Sequence, residues 1–211
     1  MKASVGPGRR GAERRPTLVL FLKEPRPGMV KTRLGREIGM IDAAWWFRHQ
    51  TGRLIRAVAR DRRWRTVLAV APDHAIASRA WPPGIARWPQ GPGDLGARMA
   101  RALAHFGPGP VAIVGGDVPG VGPREIGRAF ALARGGRAVL GPAADGGYWL
   151  VAVPHGGRLP AGLFAGVRWS GPHALSDTEA TLGPLAPARR AAMLHDVDTA
   201  ADLRAQRGRG A

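Results

Sequence analysis

The sequence predicts an α/β protein, with a mostly parallel central sheet and helices on both faces. Two observations predict it. Short, continuous apolar runs of strand length, such as residues 17–22 (TLVLFL) and 111–114 (VAIV), alternate with longer stretches whose apolar residues recur at helical spacing. The chain also has 211 residues, 45% of them apolar, enough to bury a sizeable core as one domain.

The elements follow in order. Residues 1–15 are rich in Gly and Arg without periodicity and read as a disordered basic tail; 16–207 read as one domain and 208–211 as a short second tail. The run 17–22 has no polar face, as expected of a central strand buried on both sides. A polar loop spans 23–34. Asp42 is placed to cap a helix carrying Phe47, Leu54, Ile55 and Val58 on one face. Strands are expected at 66–70 and, shorter, at 85–88. Asp94 then caps a helix with Leu95, Met99, Ala102, Leu103 and Phe106 on its stripe. After the strand at 111–114, Gly122-Pro123 opens a helix with Ile126, Ala129, Phe130 and Ala133 inward, proline suiting the first helical position. Strands at 137–140, 148–153 and 192–195 and helices near 176–182 and 199–206 complete the pattern. No internal repeat divides it.

Composition excludes several classes of function. With no cysteine there is no disulfide scaffold, no Cys-ligated metal and no thiol catalysis. No stretch approaches the ~20 apolar residues of a membrane span, and no apolar segment follows the basic N-terminus, so a cytoplasmic protein is expected. The net charge of +17 suggests a polyanion partner, yet +4 of it lies in residues 1–15 and +3 in the segment from Arg204 onward. Of the 32 basic residues only Lys2, Lys23 and Lys31 are lysines, which points to coding bias rather than a designed nucleic-acid surface. Stacking aromatics interleaved with basic residues are not evident, so nucleic acid is not the expected partner.

Four segments carry candidate chemistry, each at a predicted strand end, where open α/β sheets bind ligands. The loop KEPRPGMVKTRL holds Lys23, Arg26, Lys31 and Arg33, with Gly28 allowing close backbone approach, an arrangement suited to phosphate. A retained lysine in an arginine-rich chain marks Lys31 as a position with a specific demand. The spacing is not that of a P-loop. In GGDVPG, Asp117 follows an apolar strand, as a carboxylate holding Mg²⁺ against phosphates would; an Asx-turn explains it equally. In LGPAADGGYWL, Asp145 is bracketed by glycines including Gly146 and Gly147, and a hairpin turn is the alternative. In HDVDTAADL, Asp196 and Asp198 precede a helix that Asp198 or Thr199 would cap. Together these acidic groups share one edge with the lysine-containing loop, which makes sense if metal and phosphate lie between them. The string GPGDLG (91–96) fits G-x-G-x-x-G formally but follows a weak strand, so a dinucleotide site is not expected there; Asp94 and Gly96 are read as a helix entrance bordering a nucleotide pocket.

KEPRPGMVKTRL, QGPGDLGARM, GGDVPG, LGPAADGGYWL, LFAGVRWS and HDVDTAADL occur in the order seen in a family of GT-A-like (Rossmann-like) transferases named as radical-SAM-associated or arsenosugar-type glycosyltransferases, within the nucleotide-diphospho-sugar transferase superfamily. The resemblance covers roughly residues 17–203; more distantly the chain is similar to phospholactate and molybdenum-cofactor guanylyltransferases. The chain has Gly116 and Val118 where the family often has Ser and Cys. The resemblance implies Asp117 as metal carboxylate, with Asp145 or Asp198 as a second (Asp198 is taken as the ligand), and Lys31-Thr32-Arg33 as phosphate loop. It implies Mg²⁺ or Mn²⁺, a nucleotide-sugar or NTP donor and a small-molecule acceptor. Lys23, Gly28, Asp94, Gly96, Gly146 and Gly147 are expected around the nucleotide, with Asp117, Asp145 and Lys31 catalytic. Glycosyl transfer is the first reading, nucleotidyl transfer with pyrophosphate release the second, and a non-catalytic anion- or RNA-binding domain the third.

Overall fold

The computed structural model describes residues 15–208, so the tails expected at 1–15 and 208–211 fall almost wholly outside the described residues. The strands are β1 (Thr17–Lys23), β2 (Arg65–Ala71), β3 (Ala86–Pro89), β4 (Val111–Gly115), β5 (Val139–Pro142), β6 (Tyr148–Val153) and β7 (Arg189–Arg190). The helices are α1 (Thr32–Ile38), α2 (Met40–Val58), α3 (Leu95–Phe106), α4 (Pro123–Ala133), α5 (Ala174–Ala180) and α6 (Ala200–Gly208). Among the described residues the strands form one sheet, in the order β3-β2-β1-β4-β6-β5-β7. All neighbours are parallel except β6, which runs antiparallel to both β4 and β5.

Strand β1 shows why the sheet separates two cores. Leu18, Leu20 and Leu22 face one side with Leu54, Ile55 and Val58 of α2 and Ile126, Ala129 and Phe130 of α4. Val19 faces the other, with Met99, Ala102 and Leu103 of α3 and Ala174 of α5. Side chains of successive strand residues point to opposite faces, so a strand in the middle must be apolar at every position. Burying each such Leu or Val contributes roughly 1.5–3 kcal/mol.

A smaller core of Leu34, Ala43, Val197 and Leu203 ties α1, α2 and α6 together. The start of α6 is a capping box. Asp202 Oδ2 accepts from the backbone N–H of Asp198 (3.1 Å), the N–H of Thr199 (2.8 Å) and the Thr199 hydroxyl (2.7 Å), while Thr199 Oγ1 accepts from the Asp202 N–H (3.2 Å). These bonds, the Thr199 hydroxyl first, hold the Asp202 carboxyl below the usual carboxylate range.

Several expectations need correction. The loop predicted at 23–34 ends early, because α1 begins at Thr32. Helix α2 is capped by Gly39 rather than Asp42: Gly39, at φ 97°, closes α1 through its N–H to Gly35 O and opens α2 at once. Asp42 lies in the first turn, where a negative charge suits the helix dipole. The strand expected at 137–140 is displaced to Val139–Pro142. That expected at 192–195 pairs earlier, at Arg189–Arg190. There the chain follows β5 with N–H donors from Arg189, Ala191 and Leu194, and the three-residue step to Leu194 breaks the period of two that a regular strand needs. None of the described helices is long and apolar enough to cross a membrane.

The order of strands reverses beside β1: the chain moves outward to β2 and β3, then returns to place β4 on the other flank. Open α/β sheets bind ligands at the carboxyl ends of strands at such a switch point. Here the C-terminal ends are Lys23 of β1 and Gly115 of β4.

Thr199→Ala is expected to cost about 0.5–2 kcal/mol in urea denaturation, the range for a lost N-cap. Leu20→Ala, which opens a cavity between two packed layers, is expected to cost about 2–5 kcal/mol.

Candidate active site

A cavity of about 580 Å³ opens at this switch point. Its floor is Phe21, Ile113, Val151 and Met99; its polar rim carries Lys23, Lys31, Asp117, Asp145, Asp196 and Asp198. A second cavity of about 640 Å³ adjoins it, sharing Lys23 and Met29, and is lined by Glu24, Asp73, His74, Gly91 and Pro92 among others.

Lys31 stands at the centre. Its side chain is only 6% exposed, and Nζ donates to Asp117 Oδ2 at 2.9 Å and to Asp198 Oδ1 at 2.7 Å. The ammonium also lies 5.9 Å from the centre of the Trp46 ring. Burial by itself would push this amine down, but the charges and hydrogen bonds of the two aspartates outweigh it and hold Lys31 above the ordinary lysine value. The residue occupies the left-handed region (φ 46°, ψ 46°) as the N-cap of α1, a costly conformation for a side chain other than Gly or Asn. Arg33 is 68% exposed and reaches Asp198 Oδ2 at a long 3.5 Å.

Asp117 is positioned from beneath by two buried polar residues of α2. Thr51 Oγ1 donates to Gly116 O (3.2 Å) and Gln50 Nε2 to Val118 O (3.4 Å). A Cβ at Gly116 would press on Leu22 Cδ2, so a larger residue here requires that side chain to shift. The Gly116 and Val118 that stand in the motif thus belong to the packing under the carboxylate, and Val118 is itself buried in the core. Asp198 is delivered differently: Val197, fully buried, anchors the segment, so Asp196 and Asp198 flank it on the cavity side, and the capping box leaves the Asp198 carboxylate uncommitted to the helix.

Asp145 accepts the Gly147 N–H on Oδ1 (2.9 Å), which is the Asx-turn geometry, and still borders the cavity. Asp196 is a carboxyl pushed above its ordinary range. Burial first and the Asp198 charge second push it up; Lys31 opposes, while Asp145 and Asp117 push the same way. Tyr148 also faces the cavity, its phenol pushed well up by burial and its hydroxyl accepting from Thr178 Oγ1 at 3.2 Å. Trp149 beside it is buried in the core, its indole N–H on Ala192 O at 3.0 Å.

Of the residues expected at the site, Lys23, Lys31, Thr32, Arg33, Asp117, Asp145, Gly147 and Asp198 all line the cavity. Four do not. Asp94 caps α3, its Oδ1 taking the Ala97 N–H at 2.8 Å. Gly96 is where Phe164 and Trp169 close on α3, so close that a Cβ would lie 2.9 Å from Phe164 Cβ. Gly146 (φ 84°) is pressed against the Pro172 backbone. Gly28 supplies a positive φ of 75° in the loop, with open space beside it. These are conformational and packing roles around the site rather than contacts within the cavity.

Gln50, Thr51, Gln90, Trp169 and Ser170 were not anticipated. The sequence does carry a signal for the first pair: two polar residues interrupt the apolar stripe of α2 between Phe47 and Leu54. Gln90 is buried and donates to Leu22 O (3.2 Å) and Ala69 O (2.9 Å), clamping β1 to β2 at the cavity edge. A residue beside the proline that ends β3 gives no such clue.

Two carboxylates around one cationic seat, with open space for phosphate oxygens and water, fit a hard divalent ion, which commonly takes only one or two protein carboxylates. Among the described residues no three His, Asp or Glu side chains form a ready-made metal cage.

The comparisons agree with this architecture. A family described as "Uncharacterized protein conserved in bacteria (DUF2064)" matches residues 54–171, and the chain belongs to that family. No protein of curated function matches it. Among solved structures, a candidate nucleotide-diphospho-sugar transferase from Desulfovibrio desulfuricans G20 superposes with a TM-score of 0.82 at 29% identity, over 91% of this chain and 86% of that one. The 4-diphosphocytidyl-2C-methyl-D-erythritol synthase of Anaerococcus prevotii gives 0.58 at 10% identity, over 94% and 99%. Rv0371c of Mycobacterium tuberculosis H37Rv, in complex with manganese, gives 0.51 at 19% identity, over 90% and 97%. The last two likenesses concern the fold, which is that of the GT-A-like nucleotide-sugar transferases.

An ionised Asp196 works against the fold, since its folded-state value lies above the unfolded one; that penalty fades as pH falls through the folded value. Asp196→Asn is therefore expected to melt at higher temperature than the parent at pH 7–8, with the gap closing as pH falls through the parent's raised folded-state value.

Proposed function

We propose that this protein is a metal-dependent nucleotide-donor transferase that moves a glycosyl group from a nucleotide-diphospho-sugar to a hydroxyl of a small-molecule acceptor. The observation that carries the reading is the buried Lys31 ammonium shared by Asp117 and Asp198 at the sheet's switch point. The D. desulfuricans likeness supports the donor class, and the order of motifs suggests the radical-SAM-associated or arsenosugar branch.

In this reading the donor's diphosphate lies across the ends of β1 and β4, and the cavity lined by Glu24, Asp73 and His74 takes the nucleoside. Lys23, Lys31 and Arg33 bind phosphate oxygens, Lys as a point charge and Arg as a fork. Asp117 and Asp198 hold Mg²⁺ or Mn²⁺, which would neutralise charge developing on the diphosphate leaving group. The acceptor hydroxyl approaches from the side of Asp145 and Tyr148. Asp145, oriented by the Gly147 N–H, positions that hydroxyl or takes its proton. A new C–O bond to the acceptor replaces the C–O bond to the diphosphate, and the nucleoside diphosphate leaves.

A second reading is nucleotidyl transfer from an NTP to a phosphorylated acceptor. Lys23, Arg26, Lys31 and Arg33 within eleven residues favour it, because that density of positive charge suits a triphosphate.

The test measures nucleoside diphosphate and pyrophosphate separately, with Mn²⁺, a panel of nucleotide-sugars and each NTP. Diphosphate release from a nucleotide-sugar, lowered about 10²-fold or more in Asp117→Asn, is the expected result. Acceptor-dependent pyrophosphate release from an NTP would replace glycosyl transfer by the second reading. Salt-sensitive RNA binding that survives Asp117→Ala, without turnover of any nucleotide, would replace both.

A further inference from the structure

The position of Lys31 has a consequence for the order in which ligands bind. Its Nζ is within 2.9 Å of a carboxylate oxygen on each of two aspartates that reach the site from segments far apart in sequence. A divalent ion bound by the same two oxygens at about 2.1 Å would occupy the volume that this ammonium fills. The two cations exclude each other by sterics and by like charge, whereas either one satisfies the carboxylates.

We propose that Lys31 is a displaceable internal cation. It holds the metal seat between Asp117 and Asp198 and yields it when donor phosphates draw the ammonium toward the β1 loop, so that metal and diphosphate bind as a coupled pair. The inference rests on the metal-dependent reading above. Three further features support it. The side chain is a flexible four-carbon arm carrying a point charge, in a chain whose other basic residues are almost all arginine; a planar guanidinium would chelate a carboxylate bidentately and release it less readily. Its backbone is held in the left-handed region, so the arm starts from a locally costly position. Arg33, exposed and at 3.5 Å from Asp198, is not bound tightly enough to block the seat itself.

Coupling of this kind is reciprocal and typically amounts to about 5–150-fold in affinity. Mn²⁺ affinity is therefore measured by electron paramagnetic resonance, without and with inorganic pyrophosphate, counting the metal free of pyrophosphate. The proteins are the parent, Lys31→Asn, Lys31→Gln and Asp117→Asn. Asparagine tolerates the left-handed backbone, and glutamine nearly preserves the length of the arm; melting temperatures establish that each variant is folded. The expected result is that either neutral variant binds Mn²⁺ alone at least about fivefold more tightly than the parent. Pyrophosphate should then tighten Mn²⁺ binding strongly in the parent and little in the variants. Equal or weaker Mn²⁺ binding by both folded Lys31 variants overturns the proposal. If instead Asp117→Asn binds Mn²⁺ as well as the parent does, the metal seat is elsewhere and the underlying reading fails, whatever Lys31 does.

Discussion

The Lys31 ammonium is the point on which the site's geometry depends. Asp117 enters from the end of β4, Asp198 from the segment before α6, and Lys31 from the start of α1. Two carboxylates brought this close repel, and burial without them would push the Lys31 amine down. The lysine lets the two carboxylates stand together, and they in turn hold its charge. The arrangement is costly to assemble and would be hard to justify as stabilisation alone, since buried ion pairs often contribute little net stability against an apolar alternative. Under the proposed function the same three groups would instead serve phosphate and metal.

Around that centre the scaffold is built to hold backbone rather than side chains. Thr51 and Gln50 fasten the carbonyls on either side of Asp117, leaving its carboxylate free to face the cavity. The Thr199–Asp202 capping box does the same for Asp198 by satisfying the helix start with other groups. Gln90 ties the ends of β1 and β2 together where the strands part. Gln50, Thr51 and Gln90, three of the buried polar residues, thus serve the loops at the carboxyl edge of the sheet, while the layers beneath are almost wholly apolar.

How legible was this in the sequence? Buried strands were, because continuous apolar runs such as 17–22 and 111–114 have few alternatives, and so were α3 and α4, whose caps and stripes agree. The C-terminal edge was misplaced because 189–194 follows β5 without regular period, so no alternation marks it. Helix α1 was missed because its N-cap is a lysine in a conformation that propensity assigns to glycine or asparagine. At the site, charged residues at strand ends were readable; Gln50 and Thr51 show only as a polar break in the α2 stripe, while their partners, such as Val118 for Gln50, and the role of Gln90 come from long-range contacts that no local pattern encodes. Asp94 caps α3 as its position before the apolar stripe suggests, and Gly96 and Gly146 serve close packing at the cavity's border.

The placement of α6 bears on how such a chain matures. A ribosome releases the sheet strands first, and by Arg190 every one of them has been made. The small core of Leu34, Ala43, Val197 and Leu203 cannot close until the last helix docks, and only that closure brings Asp198 to Lys31. A nascent or clipped polypeptide ending before Ala200 would carry all seven strands and a chemically incomplete centre. The charged centre in this architecture is therefore completed only after the whole sheet has been made.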